Sequence, residues 1–176
     1  MATRARPVFA TLLAPLRAPQ RALACVLGLA CALAMPARAV PPSTFGTIIG
    51  NGLLCRDETS NRYYYDYMVR FFGQPYKRDG GAWWFKTDDA TLWGTEISEV
   101  IVSDGSHALT FVGAVSESTP EELEQAIGKR MGVRYAKING ARYPVREANP
   151  GSRIIYFDRK AKIFCAKFKP LPPALR

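Results

Sequence analysis

Phe72-Gly73-Gln74-Pro75-Tyr76-Lys77-Arg78-Asp79-Gly80-Gly81-Ala82-Trp83-Trp84 reads as the end of a helix, a stop, a short strand, a tight turn and the start of an aromatic strand. Gly73 supplies a closing residue in the left-handed region, and Pro75 prevents the helix from continuing. The same order returns 59 positions later as Met131-Gly132-Val133-Arg134-Tyr135-Ala136-Lys137-Ile138-Asn139-Gly140-Ala141-Arg142-Tyr143. At that offset Tyr64 meets Leu123, Met68 meets Ile127, Phe72 meets Met131, Tyr76 meets Tyr135, and Trp84 meets Tyr143, with no gap. A shorter middle loop then lowers the offset to 54, so that Val100 meets Ile154 and Leu109 meets Ile163.

The pattern predicts an α+β fold of tandem α-β-β-β-β repeats, about 57–115 and 119–169, forming an antiparallel sheet with two helices packed on one face. A unit of about 60 residues does not bury its helix stripe and sheet face well alone, and two side by side share a larger core.

The first helix is expected over about 58–72, with Asp57, Thr59 and Ser60 as candidate caps. Tyr64, Tyr67, Met68, Phe71 and Phe72 repeat at helical spacing and make one apolar stripe. The second helix opens on Thr119-Pro120-Glu121-Glu122: a capping threonine, proline at the first turn, and the glutamate of a capping box. Leu123, Ile127 and Met131 form its stripe and Gly132 ends it. Strands are expected near 75–79, 82–87, 96–103 and 108–115, with Thr87-Asp88-Asp89-Ala90-Thr91 as a loop. Further strands fall near 133–138 and 141–146, joined by a type I′ turn at Asn139-Gly140, and near 153–158 and 162–168. Ahead of these, Phe45–Ile49 reads as a short strand, broken from Leu53 by Gly50-Asn51-Gly52. Pro170 and Pro172-Pro173 are expected to end ordered structure.

Residues 1–39 carry five arginines and no acidic residue, then the apolar run 22–35 and Pro36-Ala37-Arg38-Ala39. This is the grammar of a secretory signal peptide, and the run is too short for a membrane span of roughly 20 residues. The mature domain is read as 40–176. Without the leader the basic count falls from 24 to 19 against 15 acidic residues, a net charge of +4. The basic composition of the whole chain therefore overstates any case for nucleic acid, which is not an expected partner. Residues 40–118 are net −4 and 119–176 net +8. The basic C-terminal half can meet an anionic surface or the acidic first half.

Cys25 and Cys31 leave with the leader, so Cys55 and Cys165 remain as an expected disulfide in an oxidising compartment, the periplasm or the exterior. A catalytic cysteine would need a base, and His107 is the only histidine. It sits beside the Ser103-Asp104-Gly105-Ser106 turn with no ligand spacing around it, so no metal and no cofactor are expected. Asp88-Asp89 and Glu121-Glu122 read as turn and cap groups. No phosphate-binding loop, nucleophile elbow, zinc signature or dinucleotide fingerprint is present.

An apolar helix, Gly73-x-Pro75, a short turn and an aromatic strand in tandem exported copies resemble the β-lactamase-inhibitor-like group, which includes small outer-membrane assembly lipoproteins. The resemblance covers most of the mature chain at the level of topology. It implies a protein that binds other proteins through an exposed sheet face and is not an enzyme. The sequence departs from that group in lacking a lipidation cysteine of the usual pattern. Its cysteine pair also spans both copies instead of stapling one.

Strand alternation sorts the aromatics into two sets. Trp84, matched to Tyr143, is assigned to the helix-covered core. The outer face is then expected to hold Trp83, Phe85, Trp93, Val102, Arg142, Tyr156 and Phe164, with Val100, Thr110 and Val112 beside them. Such a set resembles a binding hot spot, where Trp, Tyr and Arg concentrate. The expected function is a non-enzymatic periplasmic or secreted protein-binding module of inhibitor, immunity or envelope-assembly type. Its partner would be another envelope or secreted protein. The alternatives are an exported carboxylate-type hydrolase acting on cell-wall glycan, and a small-ligand carrier using the aromatic helix.

Overall fold

The computed structural model describes residues 41–57 and 60–169; the expected leader and the proline-rich tail lie outside them. Along the chain come α1 (Phe45–Leu53), α2 (Asn61–Phe72), β1 (Lys77–Asp79), β2 (Ala82–Leu92), β3 (Thr95–Ser103) and β4 (Leu109–Ser116). Then follow α3 (Pro120–Met131), β5 (Ala136–Lys137), β6 (Arg146–Ala148), β7 (Ser152–Phe157) and β8 (Lys160–Phe168). A helix followed by four strands thus occurs twice, with α1 ahead of the first. The strands form one eight-stranded antiparallel sheet in the order β1-β2-β3-β4-β8-β7-β6-β5. The fold is α+β, as the periodicity predicts. Two meanders meet where β4 pairs with β8, from Leu109 opposite Phe168 to Ser116 opposite Ala161. The margins of the sheet, β1 and β5, are three and two residues long, exposed at each residue, and carry Lys77, Arg78 and Lys137.

One row across the sheet runs Phe85, Val100, Ala114, Ile163, Ile154. These side chains share a single core with Phe45, Ile49 and Leu53 of α1, Tyr64, Tyr67 and Met68 of α2, and Leu123 and Ile127 of α3. The helix signals in the sequence act as expected at their ends. Ser60 caps α2 by accepting from the Tyr63 amide, and Gly73 closes it at φ 85°. Thr119 and Glu122 form the reciprocal capping box of α3, and Gly132 closes it at φ 68°.

Three local readings are corrected. The strand expected at Phe45–Ile49 is instead the first half of α1, which runs through Gly50-Asn51-Gly52 without a break. Gly52 is there for contact, not for stopping. A Cβ there would lie only 2.6 Å from the Tyr64 hydroxyl, whereas one on Gly50 would make an ordinary contact of 3.6 Å with the Trp93 ring. Phe45, Ile49 and Leu53, four apart, are buried and hold the helix by tertiary packing against a poor intrinsic propensity. Gly52→Ala is expected to force α1 and α2 apart at a cost of about 1–3 kcal/mol, read from the denaturant midpoint. Unchanged stability would mean that Tyr64 swings aside freely.

The second correction is at Thr87-Asp88-Asp89-Ala90-Thr91, which belongs to β2. The register with β3 shifts between Lys86 and Ala90, so the polar residues form a bulge. Asp89 takes φ 57° there, and buried Thr87 donates its hydroxyl to the Ile97 carbonyl at 2.6 Å. Third, Asn139-Gly140 is not a two-residue hairpin turn. The Asn139 Oδ1 accepts from the Val145 amide at 3.1 Å, and Ile138 donates to the Val145 carbonyl at 3.0 Å. Asparagine thus clamps the mouth of a longer loop.

Cys55 and Cys165 form the expected disulfide, with Cα atoms 5.3 Å apart and 110 positions between them in sequence. Cys55 follows α1, and Cys165 lies on β8 opposite Val112, so the bond ties α1 to the seam between the meanders.

Candidate functional site

The two faces of the sheet are the reverse of the expected ones. Phe85 and Val102 are buried in the helix-bearing core, with Val100 and Val112. Trp83 is half-buried on the same side, its ring 5.8 Å from that of Tyr65 and under the Arg78 guanidinium at 4.6 Å. Trp93 occupies the β2–β3 turn at φ 55° and rests on α1 at Gly50. Tyr156 is on the core side too, and its hydroxyl donates to Glu121. Arg142 is exposed in the loop before β6, stacked over Tyr143 at 5.5 Å. Of the seven expected outer-face residues only Phe164 lies on the face opposite the main core.

Alternation divides a strand into two sets but does not say which set meets the helices. The expected assignment depends on matching Trp84 to Tyr143. Tyr143 is 58% exposed in the loop ahead of β6. The true counterpart of Phe85 is Arg146, since Phe85 pairs with Val100 and Arg146 with Ile154. On β3 the run Val100-Ile101-Val102 is apolar on both sides, and such a strand gives no parity signal.

The second face carries its own smaller cluster: Ala82, Trp84, Ile101 and Val115, with Phe111 and Phe157 against it. Among the described residues it receives no side chain from a helix. Trp84, Ile101, Gly113 and Phe164 lie in register across four strands. Gly113 has no side chain, and a Cβ there would sit 3.4 Å from the Phe164 Cβ and 3.7 Å from the Ile101 Cβ. The missing side chain leaves a trough of about 360 Å³ bordered by Trp84, Phe111, Phe164 and Leu109. Leu109 and Phe168, opposite each other at one end, are 38% and 80% exposed.

Two lysines stand beside Trp84 at this trough. Lys77 Nζ stands 4.1 Å from the Trp84 ring centre and Lys162 Nζ 5.0 Å from it; Lys162 is also 4.0 Å from the Phe157 ring. Trp84 itself is fixed by its indole N–H, which donates to the Asp79 carbonyl at 3.1 Å. Glu99 accepts from Lys86 at 2.5 Å and from the Tyr76 hydroxyl at 2.8 Å. Burial, then that carboxylate, pushes the Tyr76 phenol up to about 12.

A second constellation escaped the sequence reading. Arg146, 1% exposed, contacts Glu121, Glu124 at 2.9 Å and the Pro144 carbonyl at 3.2 Å, under the Tyr156 ring at 5.4 Å. The only signal was an i, i+3 carboxylate pair on α3 facing a position that is Phe85 in the first half. The arrangement neutralises a buried cation; it does not present a free acid. Hydrogen bonding from Tyr156, together with Arg146, holds the Glu121 carboxyl below its ordinary range. Among the described residues no group of three or more His, Cys, Asp or Glu is placed to hold a metal.

Four carboxyls share this direction. Asp104 is held well below the usual range by Ser106 and then Arg78, Glu117 below it by Lys160, and Glu122 below it by the Thr119 backbone, alongside Glu121. A lowered folded pKa means that the unfolded chain binds more protons, so stability rises with pH through that window. The contribution is complete above the unfolded range, about pH 4–4.5, and is lost as pH falls toward the folded values. The denaturation midpoint is expected to drop between pH 5 and pH 2, with a shallower drop in Asp104→Asn. Identical slopes in the two chains would exclude Asp104 as a contributor.

No family model, no curated protein and no solved structure matches this chain.

Proposed function

We propose that the chain is a non-enzymatic, exported protein-binding module of inhibitor, immunity or envelope-assembly type. Its binding surface is the second sheet face, in the manner of the β-lactamase-inhibitor-like group. The observation that carries the reading is the trough at Gly113, with apolar residues along it and lysines beside it. Aromatic anchors in a pocket with a polar rim are the usual composition of a protein hot spot. Export is supported by the leader grammar of 1–39 and by the disulfide. No helix among the described residues is long and apolar enough to cross a membrane.

The hydrolase alternative is less well supported, because its best carboxylate pair, Glu121 and Glu124, is engaged by Arg146. A glycosidase acid needs a raised pKa, and Glu121 is shifted the other way. The carrier alternative retains a cleft of about 340 Å³ between Tyr64 of α2 and Thr110 and Val112 of β4, another of about 450 Å³ between Tyr65 of α2 and Trp83 of β2, and one of about 320 Å³ bordered by Tyr63, Tyr67 and Phe71. Thr44 and Ile48 complete the last, so it opens between α1 and α2 and not against the sheet.

The test is capture from envelope extract by the immobilised chain, compared with Phe164→Glu and with Tyr63→Glu on the exposed surface of α2. The reading expects a specific polypeptide to be lost with Phe164→Glu and kept with Tyr63→Glu. Equal capture by all three chains would remove the second face from consideration.

A further inference from the structure

The cations of the second face are not equally provided for. Lys77 has Asp79 at 3.6 Å, Lys86 has Glu99 at 2.5 Å, and Arg153 has Glu147 at 2.6 Å. Lys162 has no carboxylate within ion-pair distance among the described residues. Glu99 acts on it electrostatically, but its Oε1 is already taken by Lys86 and Tyr76. On the neighbouring strands Lys162 faces Val115 and Ile155, and its ammonium lies over Phe157 and Trp84. Half-buried among apolar groups, it is pushed below the ordinary lysine range by burial. A cation in such a place is costly without an anion. Lys77 stands over the same indole, and its positive charge acts against that of Lys162.

Beside this spot is the trough that Gly113 leaves between Ile101 and Phe164. The two features are adjacent, since Lys162 and Phe164 project from the same side of β8 and both border the trough. The surface therefore offers a site for a negative charge next to a slot for an apolar side chain.

Resting on the reading of this face as a protein-binding surface, we propose that it takes an acidic segment of the partner polypeptide. An Asp or Glu carboxylate sits against Lys162 and Lys77 above Trp84, and a neighbouring apolar side chain fills the trough at Gly113. The carboxylate supplies the missing counter-charge, and water leaving the trough supplies the apolar contribution.

The experiment uses the full chain with its disulfide intact and two probe peptides, acetyl-Leu-Asp-Leu-amide and acetyl-Leu-Asn-Leu-amide. Binding is followed by the NMR signals of the Trp84 indole and of the Ile101 and Phe164 amides. The Asp peptide is expected to shift these signals saturably and to bind about tenfold more tightly than the Asn peptide, the discrimination of one charge-assisted contact. Lys162→Met is expected to abolish that preference and Lys162→Arg to keep it, while Gly113→Val weakens both peptides alike. Spectral dispersion reports whether each variant is folded, and Lys162→Arg supplies the comparison if the methionine variant is not. Equal binding of the two peptides, or a preference that survives Lys162→Met, overturns the proposal. So does stronger binding of inorganic phosphate or phosphatidylglycerol vesicles than of the Asp peptide at the same signals. If the peptides fail while capture still depends on Phe164, the face binds by other chemistry; if both fail, the protein-binding reading falls as well.

Discussion

Replacing both partners of the disulfide, Cys55→Ser with Cys165→Ser, is expected to cost about 4–5 kcal/mol of unfolding free energy in the loop-entropy model. The bond closes a loop of 110 positions, so its main effect is on the unfolded chain, which loses freedom when its distant parts are tethered. Both sulfurs are buried beside the main core, so the serine pair must also hold hydroxyls where the cystine was. Denaturation of oxidised, reduced and serine chains under one buffer measures the effect. The oxidised chain should have the highest midpoint, and the serine chain a steeper dependence on denaturant because its unfolded state is more expanded. Trp93 provides a local reporter. It packs on α1 at Gly50, and α1 is the element tied to the seam by the bond. In the serine chain its emission should change at lower denaturant than the loss of sheet signal. A stability change below about 1 kcal/mol would mean that the tether does not restrict the unfolded ensemble.

The Arg146 constellation makes a prediction with an unusual asymmetry. Arg146 is 1% exposed, while the side chains of Glu121 and Glu124 are 48% and 32% exposed. The Glu121→Gln/Glu124→Gln chain keeps the hydrogen-bonding shape but leaves a guanidinium buried and uncompensated, at an expected cost of about 3–5 kcal/mol. Arg146→Met removes the buried charge itself and leaves carboxylates that can turn to water. Its expected cost is only about 1 kcal/mol, because replacing a buried ion group with an apolar side chain is often near neutral. The first half of the molecule already makes that replacement, with Phe85 in the equivalent register position. Thermal or chemical unfolding of the two variants distinguishes the cases. Should Arg146→Met prove the more damaging, the guanidinium would be contributing net stability to the packing of α3 on β6 and β7. The ion group would then have to be regarded as a fastening and not as a compensated burden.

The contrast between what could and could not be read from the sequence has particular causes. The helix ends were legible because capping is local chemistry: Thr119, Pro120 and Glu122 satisfy one another within a single turn. The α-β-β-β-β order was legible because glycine and proline mark turns at matching intervals. The disulfide was legible because one pair of cysteines remains when the expected leader is set aside. By contrast, α1 was hidden, since Gly46, Gly50 and Gly52 speak against a helix and only Tyr64, distant in sequence, explains one of them, Gly52. The bulge in β2 was hidden because Thr87-Asp88-Asp89 is turn-like in composition, whereas the buried hydroxyl bond to Ile97 is a tertiary fact. The faces of the sheet were inverted because Trp84 was paired with an aromatic that lies in a loop. One sound cue was available: Cys165 must point toward Cys55, which fixes its neighbour Phe164 on the opposite side. The register from Phe164 through Gly113 and Ile101 reaches Trp84, so pairing, once known, would have placed the tryptophan correctly.

The lateral margins of the molecule have a bearing on its life at high concentration. A strand of three residues and another of two, each bearing lysine, provide too few amide groups in a line for a sister molecule to extend the lattice. Repulsion between like ammonium groups adds to that barrier, most strongly in dilute salt. Crowded copies should therefore stay separate by their flanks and meet, if at all, broadside.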